Sequence, residues 1–354
     1  GRFHWVHWLV IALSTLLTIG AWYFTKEQLH QKIEQKFSRE SEQVVALVKE
    51  RMELYENALW AGVAFIDANG SQTSYDQWLL YANSLHIDTV YPGINGIGVI
   101  FNIQPDQLQG YLAEERIRRP DYQLHPKHNE NEYWPITYVE PAGPNKKAIG
   151  LDMAFEVNRY TGIKKSRDTA TAQLTGPIVL VQDSKKTPGF LFYTPFYENG
   201  KKPNTIETRR KNILGVTYAP FIMEKLMQGT LASRKRHVGI KITDKGDLLY
   251  DDTENNRDDN PLFVKEVNVD LYGRTWKFDI ISNLDFRNAT TNNQPYLLLL
   301  GGVIIDSLLV MLFVFLTRAN RRALSYADIV TADLEHRTTE LEVAKEAAEQ
   351  ASQT

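Results

Sequence analysis

The sequence predicts an α+β protein in which a long stalk helix carries two tandem antiparallel-sheet domains, flanked by two transmembrane helices and a C-terminal coiled-coil helix. Three observations predict this. Two strongly apolar segments lie near the ends of the 354-residue chain, a proline-free amphipathic stretch follows the first, and short apolar runs separated by turns fill the middle. With 43% hydrophobic residues, a chain of this length can form two or three domains with their own cores.

The composition narrows the kind of function. The net charge is only -3, which provides no general attraction to nucleic acid, so we predict no nucleic-acid partner. The chain has no cysteine, which excludes disulfides, thiolate metal sites and a cysteine nucleophile. The sequence shows no phosphate-binding loop, nucleophile elbow or zinc signature, so we predict binding rather than catalysis, without a metal or cofactor in this chain.

Two apolar segments predict transmembrane helices, assigned to residues 1–24 and 296–317. Trp8 to Phe24 is uncharged and has aromatic residues at both ends, and Tyr296 to Leu316 is longer and more apolar. A cleaved signal peptide is the alternative for the first segment. The absence of a small-residue cleavage site and the helical pattern after it favour an uncleaved anchor.

The orientation follows from basic residues beside the two spans. Arg2 precedes the first span, and three arginines directly follow the second, namely Arg318, Arg321 and Arg322. Basic residues concentrate on the cytoplasmic side of membrane proteins. We therefore predict a multi-pass protein of the inner (plasma) membrane, with both termini in the cytoplasm and residues 25–295 on the periplasmic or extracellular side.

The second predicted span carries Asp306 near its centre. An ionised carboxylate is costly inside a bilayer, so we expect this side chain to be neutral or hydrogen-bonded. The candidate partners are Ser307, the hydroxyl residues of the first span (Ser14, Thr15 and Thr18) and a partner subunit. We predict a polar latch in the helix bundle, and the alternative is a neutral acid in a dimer interface.

A long amphipathic helix is predicted for the stalk, residues 25–72. From Thr25 to about Ile66 there is no proline, and apolar residues recur mostly at three-, four- or seven-residue steps. At 1.5 Å per residue, about 40 residues would extend roughly 60 Å. The Asn-Gly turn chemistry of DANGSQT, Asp67 to Thr73, then ends the helix.

Short strands and turns predict a membrane-distal sheet domain at 73–228 and a membrane-proximal one at 229–290. The distal domain is assigned helices at Gln104–Arg116 and Asn158–Leu174. It is also assigned five strands, at Tyr91–Ile103, Glu132–Pro141, Gly176–Gln182, Gly189–Tyr197 and Lys211–Phe221. The proximal domain is assigned three or four strands, the last two of which alternate around a Tyr-Gly turn.

The C-terminal segment, residues 318–354, predicts a parallel two-stranded coiled coil and therefore a homodimer. No proline or glycine interrupts it, and Arg337 is the only polar residue in a frame of nearly four heptads. A solitary charged helix is the alternative. The apolar a and d positions are Ala327, Val330, Leu334, Leu341, Ala344, Ala348 and Ala351.

Five motifs together carry a family resemblance. They are YPGINGIGVIFNI, YWPITYVEPAGPNKKAIGLDM, SRDTATAQLTGPIVLVQ, PGFLFYTPFY and NILGVTYAPFIMEKLM, in this order between the two predicted spans. They resemble the CHASE family of extracellular sensors, shared by histidine kinases and cyclases, over residues 25–290. The resemblance implies a stalk helix, a distal PAS-like domain that holds a small-molecule ligand, and a proximal PAS-like domain.

The terminal stretch LEVAKEAAEQASQT resembles the linker helix that enters the dimerisation region of sensor histidine kinases. The resemblance therefore implies a receptor truncated before its kinase core, where ATP and Mg would bind, and a cytoplasmic response regulator as partner. One alternative replaces the kinase with a diguanylate cyclase. Another is a membrane adhesion or scaffold module that binds no ligand, and a chemoreceptor is disfavoured because the coil lacks the usual relay module.

The resemblance also implies a ligand site in the distal domain. In plant members an Asp at the end of the strand matching Glu132–Pro141 grips an adenine-type ligand, and Pro141 stands there in this chain. An alternative for Arg167 and Asp152 is a structural ion pair. Adjacent strand residues face opposite sides, so only one of Phe192 and Tyr193 can line a pocket. The residues assigned to the site are Tyr138, Glu140, Asp152, Arg167, Thr175, Gly176, Leu180, Phe192, Tyr193 and Thr194.

Overall fold

The computed structural model describes residues 5–183, 185–231 and 236–351. It confirms an α+β protein with long helices and two antiparallel sheets. The helices are α1 (Trp5–Ala68), α2 (Tyr75–Ser84), α3 (Ile87–Val90), α4 (Leu108–Arg118), α5 (Ala142–Asn145), α6 (Val157–Thr169), α7 (Ile206–Asn212), α8 (Met223–Leu231), α9 (Leu284–Thr290) and α10 (Gln294–Ala351). The strands are β1 (Ile97–Phe101), β2 (Ile136–Glu140), β3 (Gln173–Leu174), β4 (Ile178–Val179), β5 (Pro188–Tyr197), β6 (Ile213–Ile222), β7 (Val238–Asp244), β8 (Asp247–Asp251), β9 (Val264–Leu271) and β10 (Arg274–Ser282).

One compact unit is formed by residues 1–33 and 291–354. The part of it that the structure describes is helical, and α1 and α10 are both long and apolar enough to cross a membrane. Arg2, used above for the orientation, lies outside the described residues, as do the outer ends of the segments predicted at 1–24 and 318–354.

Asp306 joins the two helices of this unit. Its carboxylate accepts a hydrogen bond of 2.5 Å from Ser14 Oγ and one of 3.0 Å from Thr15 Oγ1. Ser307, another expected partner, instead donates to the Val303 carbonyl at 2.7 Å, which is the usual bond of a serine to its own helix. The carboxylate is therefore satisfied by hydroxyl groups of α1 within the same chain.

The second unit, residues 34–290, contains both sheets. The distal sheet has six strands in the order β2-β1-β6-β5-β3, with β4 also paired to β5, and all these pairs are antiparallel. Because side chains alternate along each strand, the sheet has two distinct faces. We call the face packed on α1 and α2 the stalk face, and the face packed on α6 the α6 face.

The stalk face is built on one stripe of α1. Val48, Met52, Tyr55 and Leu59 recur at three- to four-residue steps and are fully buried, as expected for one side of an amphipathic helix. Phe221 of β6 lies 4.8 Å from Tyr55 between ring centroids. Aromatic packing therefore fixes the stalk helix on the distal sheet.

The α6 face contains an apolar cluster on the other side of the sheet. It combines β-strand side chains with residues from α6 and from the segment before it, residues 148–155. Its buried members are Ile100, Trp134, Ile136, Val139, Ala148, Leu151, Met153, Ala154, Tyr160, Ile163, Ala170, Leu180, Leu191, Tyr193, Tyr197, Ile213, Val216, Tyr218 and Ile222.

The proximal sheet has four antiparallel strands in the order β8-β7-β10-β9. Burial alternates along β10, where Trp276, Phe278 and Ile280 are buried and the residues between them are half-exposed. This alternation is typical of an antiparallel sheet with one solvated face. Tyr272 and Gly273 both have positive φ angles, 47° and 81°, so the hairpin turn lies where the sequence predicts it.

The β9–β10 hairpin contacts the edge of the distal sheet. Leu174 N donates to the Tyr272 carbonyl at 2.9 Å, and the Tyr272 ring lies 4.6 Å from that of Phe192. Arg274 in the same hairpin makes two hydrogen bonds of 2.7 Å to Asp244. The two sheets are therefore connected through strand edges and aromatic rings.

One predicted strand is much shorter than expected. Of Gly176 to Gln182, only Ile178 and Val179 pair with β5. Pro177 has no N–H to donate, and Asp183 N closes a turn onto the Leu180 carbonyl at 3.0 Å. The segment predicted as a strand at Gly176–Gln182 is therefore mostly loop. Ser184 lies outside the described residues.

Candidate functional site

The structure divides the predicted site residues between the two faces of the distal sheet. Tyr138 lies on the stalk face against Tyr75, and Glu140 beside it lines a cavity of about 260 Å³ next to α2. Thr194 hydrogen-bonds with Thr217, which also lies on the stalk face. Phe192 shares that face with Phe221, whereas Tyr193 belongs to the α6 cluster. A ligand on one face would therefore contact only part of the predicted set.

Arg167 and Asp152 do not pair with each other, which corrects the ion pair considered above. Asp152 lies 2.9 Å from His128 Nε2 and accepts hydrogen bonds from two backbone N–H groups, those of Trp134 and Ala154. Arg167 pairs with Asp168 at 2.8 Å and with Glu132 at 3.4 Å. Both side chains are buried, and the loop before β2 places His128 beside Asp152 and Glu132 beside Arg167, while Asp168 of α6 also pairs with Arg167.

Thr175 and Gly176 anchor the start of α6 to β5. Thr175 Oγ1 accepts from Leu191 N at 3.0 Å and donates to the Gly176 carbonyl at 2.8 Å. Gly176 N donates to Asn158 Oδ1 at 3.1 Å. Together with Leu180 and Tyr193, these residues form the predicted subset that the structure brings to the α6 face.

Four buried polar atoms on the α6 face have no hydrogen-bond partner within the part of the chain that the structure describes. They are Tyr193 Oη, Tyr218 Oη, Trp134 Nε1 and Arg159 Nε. Tyr193 and Tyr218 are 0% and 1% exposed and are direct partners across β5 and β6. Native interiors satisfy nearly all buried polar groups, so several unpaired atoms in one layer require an explanation such as a bound water, ion or ligand.

Arg159 supplies a positive charge to this layer. It lies in the first turn of α6 and is only 5% exposed. Its Nη2 donates to the Val179 carbonyl at 3.0 Å, while its Nε is 3.7 Å from Glu156 Oε2, beyond hydrogen-bond distance. We define Arg159, Tyr193 and Tyr218 as the donor triad.

Burial and charge act on the triad in opposite directions. Burial raises the pKa of Tyr193 and of Tyr218, and the nearby charge of Arg159 opposes this rise in both. A Cβ at Gly162, three residues after Arg159 in α6, would lie 3.0 Å from the Tyr193 ring, and Tyr218 is the cross-strand partner of Tyr193. Both hydroxyls are therefore protonated at neutral pH and available as hydrogen-bond donors.

Sequence reasoning missed Arg159, Tyr218 and Trp134. A signal existed for Tyr218, because it lies in the quoted motif NILGVTYAPF and strand alternation puts it on the face opposite Thr217. The pairing of Tyr218 with Tyr193 depends on strand register, which sequence alone did not give. For Arg159 no signal existed, since α6 carries several charged residues and only tertiary packing buries this one.

Several cavities border the distal sheet. One of about 320 Å³ is lined by Tyr122, His125 and Ile149, and Ile149 packs against the α6 cluster. A wider cleft of about 630 Å³ lies beyond the stalk face, between Tyr75, Arg118 and Tyr138. Among the described residues, no group of three or more His, Asp or Glu side chains could hold a metal ion.

A protein-family model matches the part of the chain that contains the distal sheet. The model of the CHASE domain matches residues 71–262, more than half of the chain. The chain therefore belongs to the CHASE family, as the five motifs predict, although the match is narrower than residues 25–290. The matched range contains the whole distal sheet and the donor triad.

A curated relative links the chain to signalling kinases. The chain is 21% identical over 223 residues to hybrid signal transduction histidine kinase A of Dictyostelium discoideum. The match covers 54% of this chain and 10% of that protein. The chain therefore spans about a tenth of the length of the relative.

Three solved sensory domains overlap with the chain. An extracellular ligand binding receptor from Desulfohalobium retbaense DSM5692 has a TM-score of 0.41 at 10% identity, covering 68% of this chain and 40% of that one. The ligand-binding domain of the amino acid chemoreceptor PctC of Pseudomonas aeruginosa PAO1, in complex with GABA, has a TM-score of 0.36 at 12% identity. This match covers 72% of this chain and 99% of that one. The periplasmic sensory domain of the Campylobacter jejuni chemoreceptor Tlp1 has a TM-score of 0.34 at 8% identity, and the match covers 72% of this chain and 92% of that one. At these scores the overlaps specify no ligand for this chain.

Proposed function

We propose that this chain is the sensory part of a transmembrane receptor, and that it binds a small molecule on the α6 face of its distal sheet. The observation that carries the proposal is the set of four unpaired buried polar atoms on that face. Leaving such a group unpaired costs about 1–3 kcal/mol, which a bound ligand recovers. Membership of the CHASE family supports the same reading.

In the same proposal, α1 and α10 span the inner membrane as transmembrane helices, the sheets lie on the periplasmic or extracellular side, and both termini are cytoplasmic. The composition of the two helices supports this topology. The heptad frame of α10 supports a homodimer with a parallel coiled coil. In the proposed receptor, ligand binding shifts the balance between two arrangements of the dimer, and α10 passes the change onward.

The output we propose is a histidine kinase of a two-component phosphorelay, with ATP and Mg bound in its own core and a response regulator as its substrate. The Dictyostelium relative supports this assignment because it is a histidine kinase. Shifting the receptor from 1:99 to 99:1 requires about 5.5 kcal/mol of differential affinity, which one buried ligand can supply.

The test compares two glycines that each face an aromatic ring from a helix. A Cβ at Gly162 of α6 would lie 3.0 Å from Tyr193 Cε2, and a Cβ at Gly62 of α1 would lie 3.1 Å from Trp78 Cη2. The full chain in lipid nanodiscs is screened by thermal shift against purines, amino acids, organic acids and sugars. A compound at a hundredfold excess over its Kd stabilises the fold by about 2.7 kcal/mol.

We expect at least one compound to stabilise the wild-type chain. Gly162→Ala should weaken its binding about tenfold or more, because the methyl group narrows the space between α6 and β5, whereas the matched Gly62→Ala should leave affinity unchanged. If no compound stabilises the protein, or if the two variants lose affinity equally, ligand sensing on the α6 face is refuted and a scaffold role is favoured.

A further inference from the structure

We propose that the ligand carries a carboxylate, held by the Arg159 guanidinium and the hydroxyls of Tyr193 and Tyr218. This inference rests on the proposed function and names the chemical class of the ligand. It goes beyond the family resemblance, which assigns Tyr193 to the site but neither Arg159 nor Tyr218. Arg159 and Tyr218 were not among the predicted site residues.

The unpaired atoms are all hydrogen-bond donors. Arg159 Nε and Trp134 Nε1 can only donate, and each protonated tyrosine hydroxyl has a hydrogen to give. These four atoms therefore need acceptors, whereas the unpaired acceptor of the segment before α6, Asp152 Oδ2, lies 2.9 Å from His128 Nε2. A carboxylate is acceptor-only and offers about four lone-pair positions on two oxygens.

The charge balance points to an anion. Glu156 is the nearest acid to Arg159, but its two oxygens accept the N–H groups of Asn158 and Arg159 at 2.8 and 3.0 Å. It therefore caps α6 and meets the guanidinium only at 3.7 Å. A cation in the first turn of a helix also opposes the helix dipole, so helix stability does not explain a buried arginine here. An anionic ligand would supply the missing compensation.

The strand register brings the donors together. Tyr193 and Tyr218 face each other across β5 and β6, and Gly98 of β1 is the next residue in the same row. A Cβ at Gly98 would lie 2.5 Å from Tyr218 Cε1, so the ring rests over bare backbone. From the opposite side, Gly162 of α6 lets the Tyr193 ring approach the helix. Both rings therefore lie in one layer against α6, whose first turn carries Arg159.

The surroundings select the kind of carboxylate. Arg167, the other buried arginine of α6, is already neutralised by Asp168 and Glu132. Arg159, whose ion pair with Glu156 is long at 3.7 Å, matches a monocarboxylate better than a phosphate dianion. The neighbouring side chains of Ile163, Leu180 and Val216 are apolar. The rest of the ligand is therefore a small apolar or aromatic group.

The experiment uses acids and their neutral isosteres. Acetate, propionate and benzoate are compared with acetamide, propionamide and benzamide by thermal shift and by titration calorimetry, on the full chain in nanodiscs. At least one carboxylate should bind and raise the Tm in a dose-dependent manner, and its amide should bind at least about tenfold more weakly, because a hydrogen bond to a charged group is worth more than a neutral one.

Variants then locate the carboxylate. Arg159→Gln should reduce its affinity about tenfold to a hundredfold. The double variant Tyr193→Phe/Tyr218→Phe, which keeps both rings, should reduce it about tenfold. The matched controls are Arg209→Gln and Tyr197→Phe. Arg209 is an arginine of α7 that donates to backbone carbonyls, and Tyr197 is a buried tyrosine whose hydroxyl is already paired. Both controls should bind the carboxylate like the wild type.

Two outcomes would overturn the inference. If acids and amides bind equally, or if Arg159→Gln and the tyrosine double variant bind the acid like the controls, the donor triad does not hold a carboxylate. A neutral compound whose binding is lost in Gly162→Ala, with no carboxylate binding, would preserve the proposed function and refute only this inference. Since the acid and amide comparison uses the wild-type chain, it stands even if a variant fails to fold.

Discussion

The two faces of strands β5 and β6 differ in whether their buried hydroxyl groups have hydrogen-bond partners. Thr194 and Thr217 are on the stalk face, where they bond with each other and Thr217 Oγ1 donates to the Leu59 carbonyl at 3.2 Å. Their chain neighbours Tyr193 and Tyr218 are on the α6 face, where their hydroxyls have no partner in the described part of the chain. All four residues are buried on the same two strands. On β5 and β6, the buried hydroxyls of the stalk face are therefore paired and those of the α6 face are not.

The largest expected effect tests the hydrogen-bonded hydroxyls of the stalk face. Thr217→Val should lower the free energy of unfolding by about 1–3 kcal/mol, because the Leu59 carbonyl and the Thr194 hydroxyl both lose a buried partner. Urea unfolding of the full chain in detergent micelles would measure it. The double variant Thr194→Val/Thr217→Val should cost less than the sum of the single variants, since they share one network. Strict additivity would show that the two threonines are independent and would weaken the comparison.

A smaller effect contrasts two tyrosines on one strand. Tyr197 Oη donates to the Arg167 carbonyl at 2.6 Å, so Tyr197→Phe should cost about 1 kcal/mol. Tyr193→Phe removes an unpaired hydroxyl from a site of similar burial and should leave stability unchanged or increase it. Thermal unfolding of both variants without ligand would check this. Equal losses of stability would mean that Tyr193 Oη has a structural partner. The buried hydroxyls of the α6 face would then be paired like those of the stalk face.

The sequence predicts the elements of the fold better than their pairing. Periodicity predicts the stalk helix, because a stripe such as Val48, Met52 and Tyr55 is set by α-helical geometry alone. Alternation around Tyr272 and Gly273 predicts the last hairpin for the same local reason. The strand predicted at Gly176–Gln182 is shorter than expected, because Pro177 has no N–H to donate and, of the apolar side chains, Leu180 is buried while Val179 and Val181 are exposed.

The candidate site was less predictable because it depends on long-range geometry. The sequence states that Phe192 and Tyr193 face opposite sides, but it does not state which side holds α6. Ion-pair partners were equally hidden, and Asp152 meets His128 rather than Arg167 because a loop folds over the sheet edge. Arg159 is conspicuous only once its burial and its limited pairing are known, and both result from tertiary packing.

The smallest expected effect concerns the other end of α6, where charges are paired. Asp168 accepts from Arg167 Nε at 2.8 Å and from Arg210 Nη2 at 2.5 Å. Burial raises the pKa of Asp168, but the hydrogen bonds from Arg210 and Arg167 outweigh it, and the net pKa lies below the ordinary 3.8. A lowered folded-state pKa stabilises the fold above the unfolded value and loses this contribution as the pH falls through the folded value.

Asp168→Asn should therefore cost about 1 kcal/mol or less near neutral pH, a small value because Arg210 is exposed. The difference from the wild type should shrink as the pH falls below 3.8 and through the lower pKa of the folded state, because the wild-type carboxylate then becomes protonated as well. Urea unfolding at several pH values would measure it, and a difference independent of pH would show that Asp168 acts by packing. Arg167 and Arg210 meet Asp168 at 2.8 and 2.5 Å, whereas Arg159 meets Glu156 only at 3.7 Å. A pH-independent result would therefore also weaken the contrast that singles out Arg159.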